Sequence, residues 1–105
     1  MPRQYDVFVN PSKSVEDGIP YVVVIQSDLL DGLPTRMTIP LAVINDSVSS
    51  PAVLCPVVLV KGKKFQALAH YAAPLPAKFL RRPVDNVALQ ASALVAAMDA
   101  VLSGV

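Results

Sequence analysis

Charge is the scarcest property of this sequence: 16% of its 105 residues are charged, while 53% are hydrophobic. About a quarter is usual for soluble domains, so this chain has too little charge to cover its own surface. Either apolar area is buried between subunits or the protein waits for a partner. The net charge of +1 sets up no global field that would draw nucleic acid or membrane. A single cysteine, Cys55, excludes an internal disulfide and suits a reducing compartment, so the expected location is cytoplasmic. Tryptophan is absent, His70 is the sole histidine and Glu16 the sole glutamate. That leaves no paired glutamates and no ligand cluster for a metal. A Gly-rich phosphate loop and a Gly-x-Ser-x-Gly elbow are also missing, and no cofactor is expected. No apolar stretch reaches the ~20 residues of a membrane helix, and Met1 to Asn10 lacks the apolar core of a signal peptide.

What is present reads as strands followed by one helix, in a single domain over 1–105. Gln4 to Val9 alternates, with Tyr5, Val7 and Val9 on one side and Asp6 and Phe8 on the other. Tyr21 to Ile25 is β-branched and aromatic, as a buried pleated surface requires. Asp31-Gly32-Leu33-Pro34 has turn chemistry, and Met37, Ile39 and Leu41 then alternate with Arg36 and Thr38, the period of a strand with one wet face. Leu29 and Leu30 stand bare at the mouth of that turn, where an apolar pair would normally seek cover. Asn45 to Pro51 is a loop by composition. Cys55 to Val60 and Phe65 to Ala69 form a hairpin across Lys61-Gly62-Lys63. Ala73-Pro74-Leu75-Pro76 cannot be a central strand, because two prolines remove two donors, and Ala77 to Arg82 is expected as a short edge strand. From Val87 the period becomes helical. Val87, Ala91, Leu94, Val95, Met98, Val101 and Leu102 form one stripe, predicting a helix over about 86–102 that is capped by Asp85 or Asn86 and stopped at Gly104. The opposite face, Ala88, Ala93, Ala96, Ala97 and Ala100, is small, with Asp99 its ionic residue, and suits close approach of another surface.

Each candidate for chemistry has an ordinary structural reading. Asp28 and Asp31 are turn-capping acceptors, Cys55 is a buried thiol in an apolar run, and His70 follows a strand far in sequence from Asp85. Lys61, Lys63 and Lys64 solubilise a hairpin tip, and Lys78, Arg81 and Arg82 form a second basic group. The six aromatics are not interleaved with these lysines as single-strand binders require, so the chain alone is expected not to bind nucleic acid directly. The helix end has no such simple reading. Leu102-Ser103-Gly104-Val105 puts apolar atoms at a fixed point, either docked on the chain's own sheet or doubled across a dimer as a contact surface.

Gln26-Ser27-Asp28-Leu29-Leu30-Asp31 followed by Arg36-Met37-x-Ile39-Pro40-Leu41 resembles the CcdB toxins of bacterial toxin–antitoxin modules. Leu54-Cys55-Pro56-Val57-Val58 and Leu102-Ser103-Gly104-Val105 fall where that family has similar segments. The resemblance implies a mainly β fold, an SH3-like antiparallel barrel with a small extra sheet and a C-terminal α-helix. It implies a homodimer that binds the A subunit of DNA gyrase through its last residues and is neutralised by a CcdA-like antitoxin. Carried over, the gyrase-binding residues are Ser103, Gly104 and Val105, supported by Leu102, Asp99, Leu29 and Leu30. The best-known members carry Trp where Ser103 stands, and a hydroxyl cannot supply an indole's stacked area. No residue is assigned a catalytic role. The main alternative is an enzyme, a MazF-like endoribonuclease on the same barrel, with Arg36 and either His70 or an aspartate as its acid–base set. A peptide-binding module that poisons nothing is the third class.

Overall fold

The computed structural model describes residues 1–12, 17–44 and 54–104. The elements are β1 (Asp6–Val9), β2 (Tyr21–Val24), β3 (Thr35–Val43), β4 (Val57–Val60), β5 (Lys63–Ala67), β6 (Ala73–Pro76), β7 (Asp85–Asn86) and α1 (Ala91–Ser103). All strand pairs are antiparallel, in the order β4-β5-β3-β2-β1-β7. The long β3 supplies the branch. Its N-terminal half pairs with β6, Thr35 opposite Pro76, and its C-terminal half with β5, Leu41 opposite Ala67. β6 thus extends the sheet as an outer strand, the place where prolines are tolerated.

Tight turns set the register. In the β4–β5 hairpin, Val60 faces Lys63 across Lys61 (φ 50°) and Gly62 (φ 79°), and a two-residue hairpin of this hand needs both central φ angles positive. The two ends of the sheet are then joined by side chains instead of a strand ladder. Gln90 accepts from Leu59 N and donates to Leu59 O (2.8 and 2.9 Å), and Asp85 accepts from Lys61 N at 2.8 Å. A barrel-like sheet that is nearly closed, SH3-like in form, is the result.

Val7, Val23, Ile39, Leu41, Val58, Val60, Phe65 and Ala67 fill the interior, with Leu94 and Ala97 of α1 against them. The other face of β1–β2–β3 is covered too: Phe8, Val22, Val24 and Leu80 form a second cluster. This corrects the wet face expected for β3, since Arg36 and Thr38 are both 2% exposed. Two-fold alternation marks the faces of a strand and does not reveal whether both are buried. The burial is feasible because each polar group is satisfied: Thr38 Oγ1 donates to Ala73 O at 3.0 Å, and Arg36 bonds carbonyls, as described below.

The last third of the chain differs from expectation in three ways. Ala77 to Arg82 is not an edge strand. A 3-10 turn occupies Ala77–Phe79, and the edge role falls to β6. The helix starts later than residue 86, because Asp85–Asn86 pair with β1 and Ala88–Gln90 form a further 3-10 turn. The helix therefore has Gln90 at its N-cap without a side-chain bond, while Asn86 Oδ1 serves Ala88 N at 3.0 Å. Third, the buried face is centred on Leu94 and Ala97, whereas Val95, Val101 and Leu102 are exposed. The alanine positions lie partly against the sheet, since a small side chain allows the helix to approach closely. Asn45 to Pro51 lies outside the described residues. Truncation should report the same division: Leu94→Ala is expected to lower the urea midpoint by an amount equivalent to about 2–5 kcal/mol. Leu102→Ala should move it by no more than about 0.5 kcal/mol.

Candidate interaction surface

Two rigid supports hold exposed leucines. The first is the chain between β2 and β3. Ser27 caps a 3-10 turn over Asp28–Leu30, its Oγ accepting from Leu29 N at 3.2 Å. Gln26 then acts as an inserted peptide unit: Nε2 donates to Leu30 O and Thr35 O (3.3 and 3.1 Å), and Oε1 accepts from Met37 N at 2.8 Å. Arg36 reaches the same loop from below. Its Nη1 donates to Leu33 O at 2.6 Å and Thr35 O at 3.0 Å, and Nη2 to Asp31 O at 2.9 Å. A planar guanidinium suits this task, since its fixed fork of donors can serve several carbonyls at once. Asp28 fastens the loop's start to the N-terminal segment, with Oδ1 accepting from Gln4 N at 2.8 Å and Oδ2 lying 3.8 Å from Arg3 Nη2. Asp28 is thus a clamp between segments, and Ser27 is the cap. So held, the loop presents Leu29 93% exposed and Leu30 about half exposed.

The second support is the end of α1. Gly104 takes the left-handed conformation (φ 71°), and its N–H donates to Ala100 O at 2.9 Å, the arrangement that ends a helix most cheaply with glycine. Ser103 Oγ donates to Asp99 O at 2.6 Å, so its hydroxyl is turned back on the helix. Leu102 is 79% exposed. Asp99, Ser103 and Gly104 are exposed as well, and Val105 lies outside the described residues. A groove of about 180 Å³, lined by Tyr5, Ile25, Leu94, Val95, Met98 and Asp99, runs between helix and sheet. It brings Asp99 and the residue preceding Gln26 to one cleft. Leu29, Leu30, Leu102, Ser103 and Gly104 do not line it.

Of the residues named for the enzyme alternative, Arg36 is committed elsewhere, while His70 is exposed. Arg36 is buried and its guanidinium spent on three carbonyls. His70 packs its ring against Tyr71 (4.4 Å between centroids), with Nδ1 3.9 Å from Cys55 Sγ, and Cys55 is buried. Among the described residues, no three of His, Cys, Asp or Glu are grouped to hold a metal, and no helix is long and apolar enough to cross a membrane. Backbone donation from Lys61 N, then from Asn86 N, holds the Asp85 carboxyl below its ordinary value of 3.8 against the opposing effect of burial, with a lesser contribution from the Lys61 charge. A depressed carboxylate contributes stability that is fully present above its unfolded value and is lost as pH falls through the folded one. The bond from Lys61 N to Asp85 should therefore weaken only as pH falls below that ordinary value. The amide resonance of Lys61 is expected to titrate with a midpoint under 3.8, and Asp85→Asn should remove that titration.

Sequence reasoning found Leu29, Leu30 and the helix stop but missed what holds them. The signal for Gln26 and Arg36 lay in their positions flanking the turn, since a long polar side chain beside a buried strand must find carbonyls or amides. It also missed the exposed Leu33 and Leu89, and a cleft in which Lys78, Arg81 and Arg82 gather beside Phe79.

No curated protein matches the chain. The protein-family model described as CcdB protein matches residues 4–104, nearly the full length, and includes the Gln26–Leu41 stretch and the helix end. The chain belongs to the CcdB protein family, the toxins of toxin–antitoxin modules.

Proposed function

We propose that this protein is a non-enzymatic toxin that binds the A subunit of DNA gyrase and traps the complex in which DNA is cleaved. Family membership supports the toxin class. The observation that carries the reading further is the pair of bare leucines, Leu29 and Leu102, each on a support rigid enough to hold it exposed. An apolar side chain kept in water by a dedicated hydrogen-bond frame is preorganised for a partner, so little ordering entropy remains to be lost on docking. The contact set is Ser103, Gly104 and Val105 with Leu102, Asp99, Leu29 and Leu30, doubled by a two-fold homodimer. Ser103 supplies no stacked ring, so the leucines carry the apolar area that an indole would otherwise provide. No proton transfer is needed: a toxin that binds the cleaved state better than the resealed one shifts the population toward it. The setting is the cytoplasm, and a CcdA-like antitoxin neutralises the toxin by folding a disordered tail over the same surface.

Induced expression in cells with and without a resistant gyrase A subunit tests the assignment. Growth arrest in sensitive cells, and its absence in resistant ones, is the expected result. Equal arrest in both would overturn it. Deleting Gly104-Val105 should abolish arrest while leaving the fold and dimer intact, as read by thermal melting and sedimentation.

A further inference from the structure

A second cleft uses no residue of the helix end. It has a volume of about 600 Å³ and is lined by Phe8, Val9, Lys78, Phe79, Arg81 and Arg82. Three of these six residues are cations, in a chain whose net charge is only +1. Among the described residues none of the three has an acidic partner, the one ion pair there being Arg3 with Asp28. Two contacts hold Arg81 and Lys78 in place: Arg81 Nε donates to Lys78 O at 3.0 Å, and Lys78 Nζ stands 5.3 Å from the centre of the Phe79 ring. The Phe79 side chain is 56% exposed.

The floor of the cleft is a strand edge. β7 pairs with β1 only at Asp6 and Val7, and Val84 N donates to Val7 O at 2.7 Å. Backbone groups alternate along a strand. Because Asn10 N donates inward to Pro20 O at 2.9 Å, the N–H and C=O of Val9 face outward, into the cleft. Val9 is itself 56% exposed.

We propose that this cleft is a docking site for an extended acidic peptide segment, which pairs its backbone with Val9 at the outer edge of β1 and lays its carboxylates on Lys78, Arg81 and Arg82. An added strand supplies main-chain hydrogen bonds, and the side chains on one of its faces supply specificity. Because that face recurs every second residue, the fitting segment carries acidic residues at alternate positions. Guanidinium forks match carboxylates in geometry as well as charge. The site uses no residue of the helix end or the Leu29–Leu30 loop, so it stands apart from the gyrase reading.

The test is fluorescence anisotropy at low salt with the labelled peptide Asp-Thr-Asp-Thr-Asp-Thr, its isomer Asp-Asp-Asp-Thr-Thr-Thr, and an oligothymidylate of equal charge. The alternating peptide is expected to bind more tightly than both, and Arg81→Glu with Arg82→Glu should weaken it by at least roughly tenfold. Thermal melting checks that this surface variant is folded, and an unchanged Tm is expected. Bound peptide should slow hydrogen exchange at the Val9 amide. Binding of the isomer or the oligothymidylate as tight as that of the alternating peptide would overturn the proposal, as would binding without protection of Val9 or no binding to millimolar concentration.

Discussion

Replacing Arg36 with alanine should lower stability by about 2–4 kcal/mol, through the loss of three hydrogen bonds from a charged donor and a void beside β3. For a domain of this size that is a fall in Tm of roughly 10–25 °C. The reasoning starts from burial. At 2% exposure the guanidinium has no water of its own, and three carbonyls of the Asp31–Thr35 segment solvate it instead. Removing it orphans those carbonyls at the root of the loop that carries Leu29. Hydrogen exchange at Leu30, Asp31 and Leu33 should speed up more than exchange in β4 and β5. Arg36→Lys keeps the charge but cannot serve carbonyls in a planar fork, so an intermediate loss is expected. An enzyme using Arg36 as a catalytic group would behave in the opposite way, keeping its Tm while losing RNA cleavage.

The second large effect concerns function with stability untouched. Leu29→Asp or Leu102→Asp is expected to reduce affinity for the gyrase A subunit at least 30-fold, the scale of a central apolar anchor worth about 2 kcal/mol or more. Both side chains are already in solvent, so Tm should shift by only a few degrees. Surface plasmon resonance on the immobilised A subunit, beside thermal melts, reads both quantities. Unchanged affinity in both variants would remove these leucines from the contact surface.

Much of the barrel was legible because local signals and the global fold agree. Tyr21 to Val24 and Ile39 to Leu41 are strands by residue type and core by burial, and the Lys61-Gly62 turn fixes its hairpin without help. The helix misled because its apolar stripe is continuous across Leu94, Val95, Met98 and Leu102, while the sheet covers only the part centred on Leu94 and Ala97. Periodicity gives the presence of an apolar face, and tertiary contact decides how much of it is covered. The N-terminal boundary failed for a related reason: Asp85 and Asn86 are good caps in isolation, but pairing with β1 and the bond to Lys61 N engage them first. Ala77 to Arg82 has strand length but follows two prolines, and it folds back as a turn. At the candidate surface, the bare Leu29–Leu30 pair was visible as an anomaly of composition. Its hydrogen-bond frame was not, because Gln26 and Arg36 act across the turn on carbonyls that no sequence pattern marks. The basic cleft was hidden too, since Val9 and Arg81 meet only through the pairing of β1 with β7.

The most direct measurement is a plasmid cleavage assay with purified toxin, gyrase, supercoiled DNA and ATP, run beside an RNA substrate without gyrase. Gyrase poisoning requires linear DNA to accumulate with toxin dose, to diminish with Leu29→Asp and Leu102→Asp, and the RNA to stay intact. RNA cleaved by the toxin alone, with no linear DNA, would contradict it.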